Sequence, residues 1–263
     1  MRRHCTFACA GADLVGTLDD APGTTGLLIV SGGNEIRAGA WNGQALLAAR
    51  LAARGVPVFR FDRRGIGDSE GENLGFRGSS DDIIAAVAAF RAEAPQLRQV
   101  VAFGNCDAAS ALMLGGGFGC DALVLSNPWT IEQGAGEQAD APPPPAALRA
   151  HYARRLTDPA ALLRLLKGRI SLRAVAASLR NLLRKTEPTA LAGEIAAGLA
   201  RFGGPVMILL AGRDRTVQGF LAIWNRDDPR LRRCAGASHS YVEPFAQKWL
   251  EDQLVKVLTS ALN

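Results

Sequence analysis

The chain has 263 residues, of which 48% are hydrophobic and 21% charged, so it can bury a sizeable core and is not a disordered protein. A formal net charge of +5 is too small to indicate a nucleic-acid partner by itself, and the sequence contains no basic motif rich in aromatic residues. We therefore predict that nucleic acid is not a partner of this protein.

The cysteines and the start of the chain predict a cytoplasmic protein. The five cysteines are an odd number scattered along a long chain, which is not the pattern of a disulfide framework. Cys5 and Cys9 have no second Cys or His pair to complete a zinc site. Residues 8–13 include Gly and Asp, so they form no apolar core of a signal peptide. No apolar run reaches about 18 residues, and we predict no transmembrane segment.

The first half of the chain alternates predicted strands with predicted helices. Short apolar runs bounded by Gly or Pro predict strands that are buried on both faces, and segments with a period near 3.6 residues predict helices. This alternation is typical of parallel β-α-β units. The predicted elements are an antiparallel strand pair within 5–20, strands at 26–31, 56–61, 100–104 and 122–126, and helices at 41–54 and 80–94.

The pattern changes after Pro128. Residues 132–146 are rich in Gly, Ala and Pro, and they predict a linker. Only helical segments follow up to residue 201, which is typical of a cap over a site. Strand and helix patterns then resume, with strands at 205–210 and 231–235 and a helix at 241–262. We predict a mostly parallel central sheet flanked by helices, formed by residues 1–128 and 203–263, with an inserted helical cap and its Pro-rich linker at 129–202.

A reactive thiol is predicted where the strand at 100–104 meets the next helix. Residues 104–108 read Gly-Asn-Cys-Asp-Ala, and a helical run of small residues follows at once. This succession of strand, tight turn and helix is that of a nucleophile elbow, with Cys106 at its apex. A thiol attacks as the thiolate, so Cys106 needs a base or a positive environment, and the N-terminus of a helix favours an anion.

A base and its orienting acid are predicted at the same edge of the sheet. His239 lies in a loop between the last strand and the last helix, where ligands gather in parallel α/β folds. Asp214 follows the strand at 205–210, so it lies at that edge too and would orient the imidazole. The predicted triad is therefore Cys106, Asp214 and His239, in that chain order.

The oxyanion of an acyl-transfer intermediate needs two backbone N–H donors. Asp107, the residue after the nucleophile, would supply one of them. Gly33 or Asn34, in the loop after the strand at 26–31, would supply the other, although this loop lacks the His-Gly pair that is common there. Such a reaction needs no metal ion and no organic cofactor. The sequence does not identify the residues that bind the substrate.

Five motifs in the correct order resemble the α/β-hydrolase superfamily over nearly the whole chain. They are SGGN, FDRRGIGDSEG, GNCDAA, LLAGRDRTV and GASHS. The GGN loop, the FDRRGIGDSEG run and the thiol elbow more narrowly resemble the hydrolase 1 group associated with exosortase A systems. The triad type is also similar to that of dienelactone hydrolase. The resemblance implies an α/β-hydrolase fold, and it does not supply a substrate.

We predict a hydrolase that cleaves a carboxylic ester or thioester through a covalent acyl-enzyme on Cys106. A thioester intermediate is also open to attack by alcohols and amines, so an acyltransferase on the same triad remains an alternative. A second alternative is a non-catalytic binding protein with a degenerate site. Separately, Cys106 could be an inert buried thiol. Asp214 could instead cap a turn, and Asp62 is interpreted as a residue that holds its own loop.

The predicted cap is strongly basic. Residues 149–185 contain ten Lys or Arg and a single acid, Asp158. This pattern fits a solvated helix face. It also fits a docking site for an anionic acyl carrier, such as coenzyme A or acyl carrier protein, or a peripheral contact with an anionic membrane surface. The sequence leaves these three interpretations open.

Overall fold

One mostly parallel sheet runs through the structure. The computed structural model of the chain describes residues 1–131 and 190–260. Within these ranges the strands are β1 (Arg2–Cys9), β2 (Ala12–Asp19), β3 (Thr25–Val30), β4 (Val58–Phe61), β5 (Gln99–Asn105), β6 (Ala122–Ser126), β7 (Val206–Ala211) and β8 (Leu231–Cys234). Their order is β1-β2-β4-β3-β5-β6-β7-β8. Strand β2 is antiparallel to β1 and β4, and all other neighbours are parallel.

Helices cover both faces of this sheet. In the described residues they are α1 (Gly43–Ala53), α2 (Ser80–Glu93), α3 (Asp107–Leu114), α4 (Ala190–Ala200), α5 (Arg215–Ile223) and α6 (Pro244–Ser260). Helices α1 and α6 contribute to the apolar layer on one face, and α2, α3, α4 and α5 contribute to the layer on the other. The predicted α/β fold, a mostly parallel sheet flanked by helices, is confirmed.

Strand β3 shows why the apolar runs of the sequence form central strands. Its side chains alternate between the two faces, so a strand covered on both sides must be apolar at every position. Leu27 and Ile29 belong to the layer of α1 and α6, and Leu28 and Val30 belong to the opposite layer. The continuous run at 26–31 is therefore explained by burial on both faces.

Helix α5 and the start of helix α6 differ most from the sequence-based expectation. Helix α5 was not predicted. Helix α6 begins at Pro244, three residues later than predicted, because residues before it form a loop in which Tyr241 has a φ of 52°. A left-handed residue cannot continue a right-handed helix, so the loop that holds His239 is longer than the hydrophobic pattern indicates.

Helix α4 falls within the range predicted for the cap, and it packs against α3. Leu191, Ile195 and Leu199 are buried in the layer that includes α3. Gly198 allows a close approach, since a Cβ at this position would lie 2.3 Å from the carbonyl oxygen of Met113. Residues 132–189 of that range, including the predicted linker and the basic block at 149–185, lie outside the described residues.

The parallel strands bring several loops to one edge of the sheet. Strands β3, β5, β7 and β8 all end there, and the segments that follow them carry Gly33, Cys106, Asp214 and His239. This edge is where ligands bind in parallel α/β folds. Among the helices of the described ranges, none is long and apolar enough to cross a membrane.

Candidate active site

Cys106 lies at the apex of a tight turn between β5 and α3. Its φ of 61° and ψ of −125° are a conformation that residues other than glycine rarely adopt. Backbone hydrogen bonds hold it in place, because its N–H donates to the Ser126 carbonyl at 2.9 Å and its carbonyl accepts from the Trp129 N–H at 3.2 Å. Such strain persists only where the surroundings fix it, and it is found preferentially at functional sites.

The elbow depends on a close approach of strand and helix. A Cβ at Gly104 would lie 2.8 Å from the backbone carbonyl carbon of Ala108 and 2.8 Å from the backbone nitrogen of Ala109. These are main-chain atoms of α3, so they cannot rotate away as a side chain would. Gly104 therefore allows the thiol to be presented at the first residue before the helix.

His239 and Asp214 form a short hydrogen bond. The distance between His239 Nδ1 and Asp214 Oδ2 is 2.6 Å, and the carboxylate is almost completely buried. The second carboxylate oxygen, Oδ1, accepts from the backbone N–H of Thr216 at 2.9 Å and caps α5. The two interpretations of Asp214 left open by the sequence therefore both describe this one carboxylate, which caps a helix with one oxygen and contacts the imidazole with the other.

The ring of His239 also contacts the thiol. The hydrogen bond with Asp214, followed by a hydrogen bond with the side chain of Cys106, raises the pKa of His239 to about 10. The imidazole is therefore a stronger base than a free histidine side chain. The structure brings together the three side chains that the sequence singled out.

The predicted oxyanion donors show one unexpected contact. The Gly33 N–H donates to the Asp107 carboxylate, with 2.6 Å between the nitrogen and Oδ1. Gly32 allows this approach, because a Cβ there would lie 2.8 Å from the same Oδ1. The Gly33 N–H is therefore occupied by the side chain of the residue whose own N–H is the other predicted donor. Within the described residues, the Asn34 N–H makes no hydrogen bond and stays available.

Arg63 holds the loop that follows β3, a role that the sequence did not predict. Its side chain is buried and donates to the Gly33 carbonyl, and its Nη2 lies 3.9 Å from Asp107 Oδ2. A buried guanidinium beside a carboxylate offsets the negative charge next to the nucleophile. The FDRRGIGDSEG motif contained the signal, since Arg63 adjoins Asp62, whose carboxylate accepts from the Asp68 N–H and holds that loop as predicted.

The other four cysteines are less suited to act as nucleophiles. Burial raises the thiol pKa of Cys9 to about 11 and that of Cys120 to about 12, and it also raises those of Cys5 and Cys234. None of the five is in a disulfide. A raised pKa reduces the thiolate fraction at neutral pH, so these four residues fit the packing role expected of them.

A small cavity lies beside the site, behind the His239 loop. It has a volume of about 50 Å³, and its lining includes Trp41, Gln44, Asn105 and Ser240. Asn105 adjoins the nucleophile in the chain and Ser240 adjoins the base. The cavity does not include the thiol, so it does not by itself identify the residues that bind a substrate.

Comparison with known proteins agrees with this fold. The model of the alpha/beta hydrolase family matches residues 27–252. The alpha/beta hydrolase GrgF from Penicillium sp. sh18 is 17% identical with a TM-score of 0.65, and the match covers 99% of each chain. No curated protein sequence matches the chain.

Two further solved structures are also similar. The Pyrococcus furiosus esterase Pf2001 is 13% identical with a TM-score of 0.60, over 99% of this chain and 91% of that one. Est1E from Butyrivibrio proteoclasticus, solved with ferulic acid bound, is 14% identical with a TM-score of 0.59, over 98% and 99%. At these identities the likeness concerns the fold, and it is the family model, matched over most of the sequence, that shows that this chain belongs to the alpha/beta hydrolase family.

Proposed function

We propose that this protein hydrolyses a carboxylic ester or thioester, with Cys106 as the nucleophile. The observation that carries the proposal is the continuous contact from Asp214 through His239 to the Cys106 thiol, at the apex of a strained elbow. The fold relatives support the reaction class, since Pf2001 is described as an esterase. The resemblance to the exosortase-associated hydrolase group belongs to this proposal, as does a cytoplasmic location.

The geometry supports a two-step mechanism. The Cys106 thiolate attacks the carbonyl carbon, a C–S bond forms, and the carbonyl electrons move to an oxyanion held by the N–H of Asp107 and that of Asn34 or Gly33. The His239 imidazolium then donates its proton to the leaving alcohol or thiol as the bond to it breaks. Water attacks the acyl-enzyme while His239 accepts its proton, and the acid is released with the thiolate restored.

The role of Gly33 in this scheme depends on Asp107. While the Asp107 carboxylate accepts the Gly33 N–H, this donor cannot serve an oxyanion. The Asn34 N–H has no hydrogen-bond partner among the described residues, so it is free to serve an oxyanion. This difference favours Asn34 over Gly33 as the second donor in the proposed mechanism.

The substrate side of the proposal rests on the sequence. The basic residues at 149–185 would favour an anionic acyl carrier such as coenzyme A or acyl carrier protein. They lie outside the described residues, so the support for this part is their charge alone. We expect the KM for acyl-CoA to rise with salt concentration, because screening weakens the attraction between separated charges. If the KM for acyl-CoA does not change with salt concentration, the anionic carrier is refuted as the substrate.

The experiment measures turnover of short-chain p-nitrophenyl esters and acyl-CoA thioesters by the wild type, Cys106→Ala and His239→Ala. Each substitution is expected to lower kcat by at least about 1,000-fold, since members of a triad act as a unit. Cys5→Ala is the matched control, because Cys5 is also a half-buried thiol and lies outside the site. Equal turnover in all four proteins would refute the triad, and product formed only after an acceptor alcohol or amine is added would identify an acyltransferase.

A further inference from the structure

Asn127 is a fully buried polar residue directly after β6. Its φ is 46°, and its backbone N–H donates to the Leu209 carbonyl at 2.9 Å. Its side-chain Oδ1 accepts from the Ala211 N–H at 2.8 Å. Since a backbone N–H can only donate, this contact fixes which end of the amide faces Ala211. The Nδ2 group must then point toward the other partners of the side chain.

Those partners are next to the nucleophile and on the base itself. Asn127 Nδ2 donates to Asn105 Oδ1 at 2.9 Å and to the His239 carbonyl oxygen at 3.2 Å. Asn105 Nδ2 donates to the same His239 carbonyl at 3.3 Å. The main chain of His239 is therefore held by two amide side chains, one of which precedes Cys106 in the sequence.

One side chain thus connects all three segments that carry the triad. Asn105 is the last residue of β5 and precedes the nucleophile. Ala211 is the last residue of β7, three residues before Asp214. His239 is the base, and its loop has a further contact nearby, since the Tyr241 hydroxyl and Ser126 Oγ are 2.9 Å apart.

We propose that Asn127 is a positioning residue that sets the distance between the His239 ring and the Cys106 thiol. The hydrogen bond to Asp214 orients the ring at Nδ1, but the opposite nitrogen reaches the thiol only if the backbone of His239 is also placed. A misplacement of about 1 Å is able to cost a reaction roughly 100-fold. The inference rests on the proposed function for its effect on turnover, and on the geometry alone for its effect on the thiol.

Two variants separate this role from a general effect on folding. Asn127→Asp has the same shape and tolerates a left-handed backbone, and it retains the acceptor for Ala211. It loses both donated hydrogen bonds, because a carboxylate oxygen then faces the oxygens of Asn105 and His239. Asn127→Gly removes the side chain and adopts a φ of 46° without strain, so it remains informative if the buried charge of the first variant prevents folding.

The matched control is Asn42→Gly. Asn42 is also an asparagine in the left-handed region, with a φ of 60°, but it is exposed and makes no capping hydrogen bond with its side chain. It lies before α1 and does not touch the triad. Its exchange is therefore expected to leave both turnover and thiol reactivity within twofold of the wild type.

The experiment measures the alkylation rate of Cys106 by iodoacetamide from pH 5 to 9, read as peptide mass, together with kcat and KM. We expect Asn127→Gly to lower the alkylation rate at pH 6 at least 10-fold and kcat about 30- to 100-fold, with KM changed less than threefold. Wild-type alkylation and kcat in a folded Asn127→Gly would overturn the inference, as would a change in KM alone.

The two arms distinguish the inference from the proposed function. Alkylation needs no substrate, so it decides whether Asn127 positions the thiol–imidazole pair even if the wild type turns over no ester. A wild type without turnover but with an acid-shifted alkylation profile that Asn127→Gly abolishes would refute the proposed function and support the inference. A wild-type thiol that alkylates like free cysteine would overturn the inference.

Discussion

Replacing Asp214 by Asn should remove the contribution to catalysis that the proposed function assigns to this residue, while keeping the fold. Asn is as good a helix cap as Asp, so its side-chain oxygen still accepts the Thr216 N–H that α5 requires. Its NH2 group then faces His239 Nδ1, which in the wild type lies 2.6 Å from Asp214 Oδ2. An amide donor there favours the tautomer whose proton sits on Nε2, which cannot accept a proton from the thiol.

The size of the effect follows from the bond that is lost. A hydrogen bond to a charged group contributes about 1.5–3 kcal/mol, which corresponds to a loss of roughly 10- to 150-fold in kcat/KM. The wrong tautomer adds to this, and Asp-to-Asn exchange in a triad costs up to about 10,000-fold. We therefore expect a loss of at least about 10-fold in ester hydrolysis, with a melting temperature close to that of the wild type.

The same exchange has a consequence for pH. Asp214 is the largest cause of the raised pKa of His239, so its neutralisation lowers that pKa from about 10 and makes the imidazolium less stable. In Asp214→Asn, the ratio of the Cys106 alkylation rate at pH 6 to that at pH 8 should therefore be lower than in the wild type. Asp228→Asn is the control, because Asp228 is equally buried and hydrogen-bonded, but its partner is Arg230. A fully active Asp214→Asn, or an equal loss in Asp228→Asn, would refute the reasoning.

Two further predictions concern stability. Gly104→Ala should lower the melting temperature by about 2–12 °C, because overpacking against the α3 backbone costs about 1–3 kcal/mol. The control is Gly193→Ala, which should raise the melting temperature slightly, because a Cβ there meets nothing within 4 Å. An unchanged melting temperature for Gly104→Ala would contradict the close approach of β5 and α3. Hydrogen bonding to Arg230 lowers the pKa of Asp228 from 3.8 to about 2, so the stability that the Asp228 carboxylate contributes is present above pH 3.8 and is lost toward pH 2. The melting temperature of Asp228→Asn should therefore differ from that of the wild type at pH 5 and converge with it near pH 2. A difference in melting temperature that stays constant with pH would argue against this linkage.

The sequence predicted the parts of the site that depend on chain order. A buried strand followed by a polar loop puts that loop at the carboxyl edge of a parallel sheet, whatever the rest of the chain does. This reasoning was enough to bring Cys106, Asp214 and His239 to one place. The small residues around position 106 also indicated the elbow, because the main chains of β5 and α3 approach too closely at Gly104 for a side chain.

The sequence could not predict contacts between loops that are distant in the chain. Asp107 was expected to contribute only its N–H, yet its carboxylate accepts the Gly33 N–H from 74 residues away. Arg63 and Asn127 were missed for the same reason, since nothing in their local sequence indicates that their partners are Gly33 and His239. Helix α5 was missed although Asp214 is a good N-cap, because the catalytic interpretation of that carboxylate took precedence over the structural one.

The state of the base explains why a thiol suits this site. With its pKa raised to about 10, His239 carries a proton at neutral pH. In the proposed mechanism a thiol suits such a base, because a thiol gives up its proton more readily than a hydroxyl does. The contact with Cys106 is itself the second cause of the raised pKa of His239, so the pKa of the base depends on the residue at position 106. A hydroxyl at position 106 would therefore change the base as well as the nucleophile.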